Sequence, residues 1–279
     1  MFGPSDGALS GSSWVAMNTP ATPTSTAARA ANEKRVPAAK AGPLSIETRD
    51  GAFEIEGDGC ALVVARAAAA IGGFAVGDHA ILERGPVATL WRAATDNDGL
   101  KQGWMRDVQG VLRDWLRLGL DRLERRALAT QVRPQRDGSM RLRLEAELSG
   151  ADPELRVRHR QEIDVRPDGT LHFTDTIDVP GAWSDLPRVG VVLALPRAFA
   201  HVEWLGLGPH ETYADRRASG RFGRFASRVV EQYVPYAVPQ EHGHHVETRW
   251  LALASDAGVR VGIASERPFG FSASRFRAE

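Results

Sequence analysis

The chain has 279 residues, 43% of them hydrophobic, and 35 lysines and arginines balance 35 aspartates and glutamates, with a pI near 7.1. That length suits one large β domain or two small ones and can bury a sizeable core. The balanced charge leaves no basic field for nucleic acid or an anionic membrane, no apolar run is long enough to span a bilayer, and a single cysteine, Cys60, excludes an internal disulfide.

The N-terminus lacks a basic start followed by an apolar core, so no signal peptide is expected. With one cysteine, the expectation is a cytoplasmic protein in a reducing compartment. Residues 1–44 are rich in Ala, Thr, Ser and Pro, as in "NTPATPTSTAARAANEKRVPAAKAGP". They have too little to bury and read as a disordered leader or linker, with Trp14 the one anomaly. From residue 45 the pattern changes to short strands.

The stretch "LWRAATDNDGLKQGW", residues 90–104, holds Asp96, Asn97 and Asp98 before Gly99, a residue free to take positive φ. Such oxygen-rich side chains could bind a sugar hydroxyl or a hard cation. They also make turns by bonding to their own backbone, and the spacing does not match a full calcium loop. One helix follows: in "DVQGVLRDWLRLGL", Val108, Val111, Leu112, Trp115 and Leu116 fall at helical spacing and Gly119 can end it.

In "SMRLRLEAEL", Met140, Leu142, Leu144, Ala146 and Leu148 alternate with Arg141, Arg143, Glu145 and Glu147, the mark of a half-buried strand. "LRVRHRQEIDV" repeats this with Leu155, Val157, Ile163 and Val165. Pro167, Asp168 and Gly169 turn into "TLHFTDTIDV", where Leu171, Phe173, Ile177 and Val179 share a face. Further strands are expected at "RVGVVLAL", "HVEWLGL", "RWLALAS", "VRVGIAS" and "FGFSAS". Half-buried alternation belongs to antiparallel sheets with one wet face. The absence of βα alternation excludes a barrel of the kind that holds most sugar-cleaving sites. The expected fold is an all-β sandwich of large sheets with one short helix.

Two histidine-bearing stretches compete for attention. His210 and Glu211, in "VEWLGLGPHETYADR", could run proton transfer at an anomeric centre if both reached one cleft. Adjacent strand residues diverge, however, and the alternative is that Pro209 ends the strand while Glu211 and the arginines after Asp215 tie the loop down. In "PQEHGHHVETRW", His242, His244 and His245 lie between Glu241 and Glu247, a composition that could ligate zinc. In an extended segment His244 and His245 point to opposite faces, so solvated loop histidines are expected and no metal.

Taken in order, "LWRAATDNDG", "LPRVGVVLAL", "VEWLGLGPHETYADR", "EQYVPYAVPQEHG" and "RWLAL...FGFSASRF" resemble the C-terminal sandwich of family 2 β-galactosidases, which some bacteria encode as a separate small subunit. The resemblance covers about residues 45–279. It implies a large antiparallel β-supersandwich, galactose mutarotase-like. It also implies a chain serving hydrolysis of terminal β-galactosides such as lactose.

In that family the two catalytic carboxylates of a retaining mechanism lie in a barrel domain, so none is expected here and the implied partner is a barrel-bearing catalytic chain. The family's catalytic domain resembles magnesium- and sodium-dependent enzymes; no cofactor is expected in this chain. By resemblance, Arg92, Asp96, Asn97, Asp98 and Gly99 bind substrate, opening a loop through about Trp104 at the entrance of the galactose site. The family's sandwich continues beyond "FSASRF", so the chain, which stops at Glu279, is expected to be truncated. The competing functions are a stand-alone aldose mutarotase or epimerase using Glu211 or His210, and a carbohydrate-binding module.

Overall fold

The computed structural model describes residues 12–18 (backbone only), 42–100, 110–152, 154, 156–183 and 185–276. In chain order its strands are β1 (Ser12–Asn18), β2 (Ser45–Arg49), β3 (Ala52–Glu56), β4 (Cys60–Ala65), β5 (Ala70–Val76), β6 (His79–Leu82) and β7 (Arg84–Thr89). After the helix α1 (Val111–Leu118) come β8 (Glu124–Pro134), β9 (Met140–Ser149), β10 (Arg156–Val165) and β11 (Leu171–Asp178). The chain then forms β12 (Gly190–Pro196), β13 (Phe199–Gly208), β14 (Arg221–Arg228), β15 (His244–Ser255) and β16 (Arg260–Ser274).

Three antiparallel sheets result. One has seven strands in the order β14-β13-β15-β16-β1-β12-β7, one has four (β11-β10-β9-β8) and one has five (β2-β3-β4-β5-β6). The larger of two hydrophobic clusters draws on all three: Ile55, Leu62 and Ile71 from the five-stranded sheet, Leu142, Leu144 and Ile163 from the four-stranded one, and Leu195, Trp204, Leu251 and Phe271 from the seven-stranded one. This is the all-β sandwich expected from the alternation. Met140, Leu142, Leu144, Ala146 and Leu148 are all buried, and Val157, Ile163 and Val165 repeat the pattern on β10. Leu155 lies outside the described residues.

Three details differ from the sequence reading. Residues 12–18, expected within a disordered leader, form β1, which pairs antiparallel with β12 and with β16. Their backbone hydrogen bonds come from two distant strands, a source that local composition cannot reveal. The rest of residues 1–41 lies outside the described residues. The helix runs Val111–Leu118 and is ended, as expected, by Gly119, left-handed at φ 72°; Val108 lies outside the described residues.

Phe173 is exposed while Leu171 is partly buried against the core; β11 is an edge of its sheet and lacks a neighbour on one side. Finally, "VRVGIAS" and "FGFSAS" are one strand of 15 residues. Shifts in the register of β15 between His245 and Trp250 let the ladder run past Pro268.

Candidate functional site

The turn that carries the sequence-derived site follows β7. Leu90 is fully buried, and Trp91 meets Trp115 of α1 edge to face at 6.4 Å. The Arg92 guanidinium lies 5.1 Å above the Trp115 ring and reaches Asp98 with two bonds, Nη1 to Oδ2 at 2.6 Å and Nη2 to Oδ1 at 3.0 Å. Arg92 Nε also donates to the Pro187 carbonyl at 3.1 Å. Asp98 accepts from the Thr95 amide and hydroxyl, both at 2.7 Å. A single 3₁₀ turn, Asp96–Asp98, is closed in this way, and Gly99 ends it at φ 104°.

Burial opposes ionisation of Asp98, but the bonds from Arg92 and Thr95 and the charge of Arg92 outweigh it and hold the carboxyl below its usual range. For Arg92, burial is likewise outweighed by Asp98, and the guanidinium is held more firmly charged. Two of the five expected residues are therefore spent on each other. Asn97 is the exposed one, its Nδ2 donating to Asp215 Oδ2 at 3.3 Å.

The turn stands where the loop expected from the sequence would begin. A Cβ on Gly110 would come within 3.2 Å of the Asp98 carbonyl oxygen and 3.4 Å of the Gly99 Cα, so the chain leaves at Gly99 and returns against it. The loop itself, including Trp104, lies outside the described residues.

Distant segments hold this turn in place. The Asp96 amide donates to Gln240 Oε1 at 3.1 Å, and the Glu241 amide donates to the Ala94 carbonyl at 3.1 Å. Glu241 in turn accepts from Arg188 Nη2 at 2.7 Å, with both side chains almost wholly buried. From sequence, Arg188 and Gln240 carry no assigned role, and Glu241 figures only as a flank of the histidine cluster. Their only signal was membership of the stretches "LPRVGVVLAL" and "EQYVPYAVPQEHG".

Glu211 is wired as a structural hub. One carboxylate oxygen accepts from the Tyr236 hydroxyl and from Arg216 Nη1 at 3.1 Å, and the other accepts from the Gly243 amide at 2.8 Å. The bonding to Arg216 is the tie expected if Glu211 only anchors its loop. His210 is exposed, beside a buried Glu211, so the two do not share a cleft.

The histidines of "EHGHH" are not solvated loop residues, which corrects that expectation for two of the three. His245 is packed between Trp204, at 4.3 Å, and Phe271, at 5.1 Å, and pairs through Nε2 with Gln232 Oε1 at 2.6 Å. Burial pushes its pKa down to about 4. His244 pairs through Nδ1 with Ser272 Oγ at 2.9 Å, and burial pushes it well below the ordinary histidine range. Both belong to β15, which starts at His244: His245 faces the core, and His244, on the opposite face, lies against Tyr213 at 5.6 Å. Among the described residues, no three His, Cys, Asp or Glu side chains come together as a group that could hold a metal.

Three stretches far apart in sequence thus converge: Arg92–Gly99, Glu211–Arg216 and Gln232–His245. The model of the β-galactosidase small chain matches residues 56–279, which contain all three. The chain belongs to the β-galactosidase small-chain family. It is 33% identical over 216 residues to a β-galactosidase of Arthrobacter sp. (strain B7), covering 70% of this chain and 20% of that one. A β-galactosidase of Vibrio cholerae is 33% identical over 190 residues, covering 67% and 18%. One of Streptococcus thermophilus is 27% identical over 240 residues, covering 85% and 22%. As a small-chain member it spans about a fifth of the length of these relatives.

Proposed function

We propose that this small chain completes and gates the galactoside site of a β-galactosidase whose catalytic carboxylates belong to a barrel-bearing chain or domain. The observation that supports this most directly is the foot of the loop at Asp96–Gly99. It is locked from beneath by Arg92 and Asp98, tied sideways to Gln240 and Glu241, and leaves Asn97 exposed above. A turn so held can present amide and carboxylate groups to sugar hydroxyls with little entropy left to lose on binding. Arg92 and Asp98 then act by holding the turn, while Asp96 and Asn97 face the sugar.

A retaining glycosidase needs two carboxylates about 5 Å apart across the scissile bond. Glu211, saturated by Tyr236, Arg216 and the Gly243 amide, is not free to serve as one of them or as the base of a mutarotase. Any magnesium or sodium requirement would belong to the catalytic partner. The same reading groups the sandwich with galactose mutarotase-like folds and places the protein in the cytoplasm, with Cys60 a buried free thiol. Among the described residues no helix is long and apolar enough to cross a membrane.

The test is complementation. The pure chain should not hydrolyse a chromogenic β-galactoside, and adding it to a barrel-bearing partner should restore turnover. In that complex Asn97→Ala should lower kcat/KM about tenfold, the loss of one hydrogen bond to substrate. A partner equally active with and without this chain would refute the reading.

A further inference from the structure

The seven-stranded sheet contains a strand that reaches it from outside its sequence neighbourhood. β12 and β16 lie on either side of β1, and among the described residues they share no ladder with each other. β1 runs antiparallel to both. Its register sets Val15 opposite Leu193 and Ala273, and Met17 opposite Val191 and Phe271. Those four partners are buried. The two strands therefore frame a slot one strand wide, floored by the sandwich core.

We propose that this slot is a strand-acceptor site and that Ser12–Asn18 is its ligand, an intramolecular plug that closes two sheet edges against other chains. Residues 19–41 connect Asn18 to Gly42. Fully extended, that many residues can span roughly 80 Å, so the covalent link does not force β1 into the slot; backbone pairing on both sides holds it there.

Recognition of this kind is strand addition, in which main-chain hydrogen bonds supply affinity and alternate side-chain positions supply register. Pro20 and Pro23 follow the segment, and neither can donate to a ladder, which limits the plug to its own length. A tethered segment acts at an effective concentration on the order of millimolar, above that of a second copy in dilute solution, so each chain fills its own slot. An empty slot would expose two unpaired edges, a template for pairing between chains.

Paired cysteines in the full chain test this. Ala16 stands opposite Val192, within the Cα separation that a disulfide tolerates. Ala16→Cys with Val192→Cys should oxidise to an internal disulfide, seen as a faster-migrating monomer on a non-reducing gel. Met17→Cys with Val192→Cys, one residue out of register and so on opposite faces, should not. No disulfide in the first pair, a disulfide between chains, or equal yields from both pairs would overturn the proposal. Hydrogen exchange gives an independent reading that needs no cross-link. Val15→Pro should speed exchange of β12 and β16 amides at least tenfold while the β13–β15 ladder keeps its protection. Unchanged protection on β12 and β16 would mean that nothing occupies the slot.

Discussion

The least forgiving positions are buried charges. Arg188 and Glu241 are paired at 2.7 Å, with side chains 4% and 5% exposed. Removing one partner strands the other in a medium that cannot solvate it, and such changes cost about 3–5 kcal/mol. Glu241→Ala should therefore lower the urea midpoint sharply and loosen the Ala94–Gly99 turn; exchange of the Asp96 amide reports the second effect. His245 sets a pH dependence. Its folded pKa is depressed to about 4 from 6.5 by burial, so between those values the unfolded chain binds the proton and the folded chain does not. Stability should accordingly be complete above pH 6.5 and fall as pH drops towards 4, by up to about 1.4 kcal/mol per pH unit. His244, depressed by the same cause, acts in the same direction. Equilibrium unfolding at pH 7 and pH 5 measures the slope, and His245→Gln should flatten it.

Among the elements, the loop foot and the helix behind it behave as one unit, because Trp115 of α1 supports both Trp91 and Arg92. Gly99 is the point where that unit meets the loop. At φ 104° a Cβ is strained, and Gly99→Ala should cost about 1 kcal/mol. If the loop gates a sugar site, the same change in a complemented enzyme shifts kcat and KM together. A lowered melting temperature with unchanged kinetics would leave the turn a purely structural element. The positions of Asp96, Asn97, Asp98 and Gly99 were legible in sequence because turn chemistry is local. The partition of their roles was not, since the ties of Arg92 to Pro187, of Asp96 to Gln240 and of Asn97 to Asp215 cross 95 to 144 residues of chain.

For the whole molecule, the shared core makes the three sheets interdependent. Leu142 is fully buried on β9 and belongs to the cluster that joins all three sheets. Leu142→Ala should cost about 2–5 kcal/mol and lower the transition seen by circular dichroism and by tryptophan fluorescence together. Separate transitions would mean that the sheets fold independently. The convergence of the three site stretches depends on this same core, since Trp204 and Phe271, which clamp His245, are among its members.

Alternation with period two determined the strands of the central region, because each side chain's face follows from its own position in the pleat. Motif order along the chain was enough to establish the family. Only the tertiary structure decided which strands became edges, which exposed Phe173 on β11, and which distant segment filled the slot between β12 and β16. It also decided that two histidines with a solvent-like setting are buried and held neutral, and that Glu211 is an anchor. Those outcomes depend on burial and on hydrogen-bond partners supplied by residues far away in sequence, and no local pattern records either.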